Sequence, residues 1–420
     1  ARKLRVMEHF DVIIVGAGAA GIAAARKLTQ AGFSPLVLEA RQRLGGRAVT
    51  HDFAGTPIDM GAHWLHAARQ NPLVSLARGM GLEVSRAVYR FRALKDGARL
   101  GLIAGYGLDH AWERAEERIM EAAEQVARRG HDMSLTDAVG NAGPWTRSAL
   151  FMHGAYDCGA EPDTISTLDF ATVEDDRDML VSGGLGALIA RLGEGLEVAA
   201  GVDLRGIQLD KDHAILTTAD GQAWQARAVI LTVPLMVLAG GHVTLPPEAG
   251  SLREAARRFH AAAYEHAILQ AAKAPWSNRH DEIVLSMAGS EHATLFAHME
   301  GSDLHYLDLV ATEGQRIAGM DEQGRADAVR AMLARHFGEA ASHATRILAV
   351  TQWAQDPFAR GAWALTKIGH SAARAALRQP MGHLFYAGEA SSATQWGTVG
   401  GAWLEGERAA GHVVAALTGA

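Results

Sequence analysis

Gly16, Gly18 and Gly21 directly follow the apolar run Val12-Ile13-Ile14-Val15 and open an alanine-rich stretch over 19–31. At that spacing a strand turns sharply into a helix, and backbone N–H groups at the helix start face a diphosphate whose charge the helix dipole favours. A second short strand, 35–38, delivers Glu39. That carboxylate arrives roughly 20 residues beyond the turn, where a ribose hydroxyl pair needs an acceptor; an arginine there would instead suit a 2′-phosphate. Glycine spacing by itself also fits an ordinary strand–helix turn, but with the strand, the helix and the carboxylate all in place a dinucleotide site is expected. Ala19, Ala20 and Ala40 belong to the same two turns. Arg41 and the turn Leu44-Gly45-Gly46-Arg47 follow at once, adding cationic and backbone donors for a further phosphate contact.

A second set of residues could meet a substrate. Gly61-Ala62 would let a planar ring approach the backbone, and His63, Trp64 and His66 follow, of which His66 could meet an amine. Histidines more often sit idle in a core or on a surface, and the acidic run Glu174-Asp175-Asp176 more often solvates or caps a loop than draws in a cation. Near the end of the chain Leu384-Phe385-Tyr386 runs into Ala387-Gly388-Glu389, and Thr398-Val399-Gly400-Gly401 opens a last helix to about 417. Two glycine turns at helix starts, one at each end of the chain, suit a long cofactor whose two ends are held separately.

The elements that must position these residues fit a chain of 420 residues, which is too long for one ordinary core and implies two domains. The hydrophobic fraction of 48% with 21% charged residues is that of a globular protein, and a net charge of −7 argues against nucleic acid as a partner. The single cysteine, Cys158, excludes an internal disulfide and a cysteine-based metal cluster, and no metal site is expected. Residues 1–6 lack the apolar region of a secretory signal and read as a disordered lead; apolar runs near Val12 and Ala228 are shorter than the ~18 residues of a membrane span. A soluble, cytoplasmic protein without membrane partners is expected; a homodimer is compatible with the chain.

In order, the pattern predicts helices from 71 to 129 and from 137 to about 167, a helix over 186–192, and strands near 196, 204–209, 214–218 and 226–233. Pro246-Pro247 marks a boundary, after which strands are expected at 266–271, 283–287, 295–299 and 304–310, with a helix over 325–337.

The second glycine turn resembles that of glutathione-reductase-type FAD proteins, so FAD is favoured over NAD. Across its length from Met7 the chain resembles the flavin-dependent amine oxidase family of monoamine oxidases, polyamine oxidases and lysine-specific histone demethylases. The matching pieces are GAGAAG (16–21), EARQRLGGR (39–47), DMGAHWLH (59–66), SGGLGAL (182–188), LTVPLMVL (231–238), WAQDPFARGAW (353–363) and LFYAGEASSATQWGTVGGAWLEGERAA (384–410). The resemblance implies an α/β plus α+β fold: a Rossmann FAD-binding domain from 7–84, 181–250 and 349–420, and a discontinuous substrate domain, antiparallel sheet plus helices, from 85–180 and 251–348.

It also implies roles. Glu39 would hold the adenosine ribose, with Arg41 and Arg47 near the phosphates. Gly61, Ala62, His63 and Trp64 would lie beside the flavin, and Leu204 would hold the adenine with its backbone. Glu389 after Gly388 would meet the ribityl–phosphate region, and Thr398-Val399 would lie against the isoalloxazine; Thr232 and Trp353 complete the expected cofactor contacts. Family members that tether FAD do so through a cysteine in Gly-Gly-Cys-Tyr, but Arg360-Gly361-Ala362-Trp363 stands here, so the flavin would be noncovalent. Trp363 would form one wall of a substrate cage and Thr398 the opposite one, more like polyamine oxidases than monoamine oxidases. His66 would contact the amine. The usual lysine that holds water near flavin N5 aligns with His266, with Lys273 displaced.

The activity so implied is oxidation of an amine C–N bond by hydride transfer to FAD, then imine hydrolysis to an aldehyde or ketone, with dioxygen reduced to peroxide. A polyamine or other primary or secondary amine is the expected substrate. Two alternatives remain at this stage: a flavin desaturase or dehydrogenase passing electrons to a carrier, and a non-catalytic FAD-binding partner protein.

Overall fold

The computed structural model describes residues 6–87, 90–174 and 176–419. All of the lead 1–6 but Val6, and Asp175 of the acidic run, lie outside the described residues.

The strand Val6–Val15 contains neither proline nor glycine and carries four consecutive Val and Ile residues, which suits a strand covered on both faces. Side chains alternate sides along it. Val12 and Ile14 meet Ala20, Ala24, Leu28, Ala409, Ala410 and Val413, while Ile13 and Val15 pack with Leu36, Leu38, Val229 and Leu231. Each such fully covered side chain contributes roughly 1.5–3 kcal/mol, so the strand is an anchor for both layers. Its parallel neighbours are Pro35–Glu39 and Ala223–Leu231, with Val15 level with Leu38 on one side and Leu231 on the other. Among the described residues the sheet has seven strands, in the order Leu204–Leu209, Ala214–Thr218, Ala223–Leu231, Val6–Val15, Pro35–Glu39 and Val198–Ala200, with Leu384–Tyr386 also on Ala223–Leu231.

The helix Ala19–Gln30 follows the first strand and packs on the last helix, Val399–Thr418. Small residues set the distance between them. A Cβ on Gly406 would lie 2.0 Å from the Ala20 carbonyl oxygen, so glycine is required for this approach.

A second sheet of seven strands among the described residues runs Arg346–Val350, Tyr264–Gln270, Leu304–Val310, Glu291–Ala297, Glu282–Ala288, Arg90–Lys95 and Ala98–Arg99. It is antiparallel except where Arg90–Lys95 joins Glu282–Ala288. The expected strand at 295–299 starts earlier, at Glu291, because a tight turn with Gly289 at φ +58° returns the chain at once. The helix expected over 325–337 starts at Glu322, where the Asp321 carboxylate accepts from the Gly324 N–H at 2.8 Å.

The interval 71–129 differs from its helical expectation. Pro72–Gly79 is a helix capped by Asn71, but Gly81 breaks it at φ +76°, and Val84–Arg86 and Arg90–Lys95 are strands before the helix Leu102–Arg129. Arg90–Lys95 is exposed at its two ends and buried at Ala93 and Leu94, a short covered stretch that its flanking charged residues had disguised. Likewise 137–167 is not one helix but a series of short ones, Leu135–Val139, Thr146–Phe151 and the π-helical turn Met152–Tyr156 that continues it. No helix of the described residues is long and apolar enough to cross a membrane.

A buried ion pair ties the short helix Thr167–Phe170 to the short helix Ala373–Leu377. Arg374 Nη2 lies 2.6 Å from Asp169 Oδ2 and Nε lies 2.7 Å from Oδ1; Arg374 also donates to the carbonyls of Ala390 and Ala364 and stacks 4.6 Å over the Trp396 ring.

Buried histidines give the second sheet a pH response. His305 Nδ1 accepts from Trp276 Nε1 and from the His298 N–H, and Nε2 faces the Ala271 carbonyl. Burial first, and nearby His298, lower its pKa from 6.5 to about 4; burial, then Arg147 and His336, do the same to His292. An unfolded chain takes protons on both groups below 6.5, while the folded one takes them only near 4. Stability therefore falls as pH drops through that window. The expected result is a thermal midpoint that declines from neutral pH toward pH 4, less steeply in His292→Gln; a level midpoint would contradict it.

Candidate active site

Gly16 adopts φ +105°, a conformation that side chains rarely tolerate, and its N–H donates to the Leu38 carbonyl at 2.7 Å. The Thr232 hydroxyl braces this turn, donating to the carbonyls of Val15 and Gly16 at 2.8 and 3.1 Å. The helix behind it begins at Gly18 with no side-chain cap and no acidic residue in its first turn, which leaves its positive end to a ligand anion. Gly18 bridges to Gly45 of the second turn, and Gly46 lies so near that a Cβ on it would be 3.3 Å from the Gly18 Cα. The two glycine turns are therefore one surface.

Glu39 is 4% exposed at the end of its strand, and its oxygens accept from the N–H groups of Ala17 (2.7 Å) and Arg41 (2.8 Å). Those two bonds fix the carboxylate at the mouth of the turn, with lone pairs left for a diol. Arg41 turns its guanidinium to Asp356, 2.6 Å away, and over the Phe358 ring, tying the loop after Ala40 to 356–358. Leu204 is buried at the start of its strand, opposite Thr218 and beside a register shift to Gly206.

At the far end Arg47 reaches across to the last glycine turn. Its Nη1 donates to the Ala362 carbonyl (2.6 Å) and to Glu389 Oε1 (3.2 Å), while Glu389 Oε2 accepts from the N–H groups of Gly397 (3.3 Å) and Ala364 (3.4 Å). One buried carboxylate thus holds together the segments bearing Arg47, Trp363 and Thr398. Gly61 sits against this hub: a Cβ there would meet the Arg47 carbonyl at 2.1 Å and the Trp353 ring at 3.2 Å. Trp353 is fixed by its indole N–H on the Met60 carbonyl, 2.8 Å, and by the N–H it gives to Glu265. The Ala62 N–H donates to the Arg47 carbonyl at 3.2 Å.

Beyond the hub is an aromatic chamber. Trp363 faces Tyr264 with ring centroids 5.6 Å apart, Tyr264 lies 5.4 Å from His266, and His266 stacks on Tyr306 at 4.5 Å. Tyr156, from the π-turn, lies 6.5 Å from Tyr264. Burial first, and then the Asp308 carboxylate, push the Tyr156 and Tyr264 phenols well up; for Tyr306 burial is followed by Asp59 and Asp308. All three stay neutral and polar. His66, at the rim with 44% of its side chain exposed, places Nδ1 3.0 Å from Asp178 Oδ1.

Several residues of the quoted motifs also make contacts within the protein. The Thr398 hydroxyl caps the last helix, accepting from the Gly401 N–H at 2.9 Å and donating to the Gln395 carbonyl at 2.8 Å, with Val399 beginning the helix. The aromatic face turned toward Trp363 is that of Tyr264. The His63 ring packs on Trp64, Phe296 and Tyr306, with Nδ1 3.7 Å from Asp59. Trp396 gives its N–H to Asp169 and Thr172 under Arg374, a packing role. Tyr156, Tyr264, Tyr306, Asp178 and Asp308 went unnoticed in the sequence; Asp308, a lone carboxylate in Leu304–Val310, was the readable signal among them.

An uncapped helix start, a held carboxylate and a bare glycine surface at one end, with a braced glycine turn at the other, fit an extended dinucleotide and define a flavoprotein of the doubly wound type. The chain belongs to the flavin-containing amine oxidoreductases, whose family model matches residues 19–414, and its cofactor is FAD. It is an oxidoreductase acting on amines. Polyamine oxidase 4 of Oryza sativa subsp. japonica is 29% identical over 95% of this chain and 88% of its own length. Lysine-specific histone demethylase 2 of Homo sapiens is 25% identical over 96% of this chain, which spans 53% of that protein. Putrescine oxidase solved with bound putrescine has the same fold, with a TM-score of 0.78 at 20% identity over 97% of this chain and 99% of that one.

Proposed function

We propose that the chain oxidises the C–N bond of a polyamine or another primary or secondary amine with a noncovalently held FAD, releasing an aldehyde or ketone and a smaller amine. The observation that carries this reading is the junction itself: Trp363 and Tyr264 face one another 5.6 Å apart beside His266, on the segment that Glu389 and Arg47 clamp. Relatives that include a polyamine oxidase support the amine class.

FAD, when bound, would supply the redox chemistry, a two-electron oxidation at the carbon beside an uncharged amine nitrogen with dioxygen as the final acceptor. The protein supplies the rest. Gly16 to Gly21, Glu39, Gly45 and Gly46 hold the nucleotide, while Gly61 and Ala62 leave the flat approach that a ring system needs. Trp363 and Tyr264, packed against each other, form one wall beside the amine and exclude water from that side, His66 with Asp178 meets the substrate at the rim, and His266 faces the reacting end. Ala362 offers no thiol for a tether, and Cys158, the chain's single cysteine, is buried with its thiol pushed well up by that burial.

Anaerobic mixing of the FAD-loaded protein with diamines, polyamines, aromatic monoamines and amino acids tests this. Flavin absorbance should bleach with diamines or polyamines, and peroxide should appear when air is admitted. A flavin that stays oxidised with every amine, or is reduced yet yields no peroxide, would overturn the proposal.

A further inference from the structure

One chamber carboxylate has no role in the account above. Asp308 stands directly across the strand ladder from His266, and its Oδ1 lies 3.2 Å from His266 Nδ1. It is 6% exposed, in a strand otherwise rich in leucine. Its second oxygen and His266 Nε2 have no hydrogen-bond partner among the described residues, and neither atom is a sealed orphan, so both border open space. Tyr306 stacks on the imidazole at 4.5 Å and 27° and fixes the plane of the ring.

We propose that His266, oriented by Asp308, accepts the proton that an incoming ammonium substrate must lose before it can be oxidised. The inference rests on the amine-oxidising reading. Asp308 takes the Nδ1–H, which leaves the imidazole lone pair on Nε2, the atom that faces the chamber. An alkylamine has a pKa of about 10 and arrives at neutral pH as ammonium, with its nitrogen lone pair occupied. The ammonium N–H bond breaks and an Nε2–H bond forms. Both electrons of the old bond stay on the amine nitrogen, no group is oxidised or reduced, and the new imidazolium is paired with Asp308.

The surrounding groups do not compete for this proton. Tyr264 on the same strand, Tyr306 beside Asp308, and Tyr156 from the π-turn are all held in the phenol form. Asp157 and Asp178 approach from the side of Tyr156. Glu265, next in the strand, is tied up by the Thr351 hydroxyl and the N–H groups of Trp353 and Ala354. Thr351 meets only the backbone of His266. Asp308 is thus a positioning residue and His266 the group that touches substrate.

The test is the rate of anaerobic flavin reduction by a saturating diamine, from about pH 6 to about pH 10, in the wild type, Asp308→Asn and His266→Gln. Near neutrality both variants should be about 100-fold slower, the scale of general-base help. At the alkaline end, where the amine arrives already neutral, the deficit should shrink to about threefold or less. A structural role would leave the same deficit at every pH, and that pattern, or no deficit at all, would overturn the inference while leaving amine oxidation standing. If Asp308→Asn retains no flavin, His266→Gln decides by the same pattern. A wild-type flavin that no amine reduces would bring down both readings.

Discussion

Gly21→Ala should leave the purified protein nearly colourless, with FAD bound about 10- to 100-fold more weakly, the factor that ~1–3 kcal/mol of overpacking produces. The added Cβ would lie 1.8 Å from the Gly16 carbonyl oxygen, 3.0 Å from its carbon and 3.1 Å from the Thr232 hydroxyl oxygen. Two of those atoms are backbone in the turn itself, and Gly16 is already at φ +105° with its N–H committed to Leu38. The helix start must therefore move away from the turn, and the N–H groups that would receive a diphosphate move with it. Gly79→Ala, at a helical position with nothing within 4 Å of the new Cβ, is the control and should retain full flavin. Absorbance of the purified variants and titration of apoprotein with FAD measure the effect; full retention by Gly21→Ala would contradict it.

The second large effect is on stability. Arg374→Ala should destabilise the fold by about 3–5 kcal/mol, because it strands the Asp169 carboxylate in the interior. Asp169 keeps its bond from the Thr366 N–H, but the carbonyls of Ala364 and Ala390 lose their donor and the Trp396 ring loses its cation. Lysine in place of Arg374 should recover only part of this, since an ammonium cannot donate two parallel bonds to one carboxylate and two more to carbonyls. The double variant Arg374→Met with Asp169→Leu should be less destabilised than the sum of its single changes, because the cost lies in leaving one charge alone. Denaturant midpoints of these variants and of the single changes Arg374→Met and Asp169→Leu measure this; additive losses would contradict the account. Ala364 adjoins Trp363 and Ala390 adjoins Glu389, so the single variants should also lose flavin.

The nucleotide half was legible because it is local. Gly16, Gly18, Gly21 and Glu39 fall within one strand–helix–strand unit, and each residue type answers a backbone or charge demand that sequence spacing expresses directly. The chamber was legible only through its histidines and Trp363. Tyr264 is two residues before His266 and so shares its strand face, a relation that the period of two could have supplied. Asp308 and Tyr306 come from another strand, and only the register that sets His266 opposite Asp308 brings them in. Thr398 carries a role that its place in the motif did not announce: as a threonine preceding a helix, it has its hydroxyl claimed by the cap. The strands at 84–95 were hidden for a related reason, since exposed charged residues such as Arg86, Arg90 and Lys95 read equally well as the solvated face of a helix.

The contact between the first helix and the last has a consequence for biosynthesis. Ala20 leaves the ribosome almost four hundred residues before Gly406, its partner in that contact, at roughly 5–20 residues per second. The sheet stays incomplete until Leu384–Tyr386 has been added and Val399–Thr418 has covered it. The nascent chain therefore holds a half-built nucleotide cleft until those segments have emerged, and FAD is captured only after that, so flavin supply sets how much of the newly made polypeptide matures rather than how fast it is made.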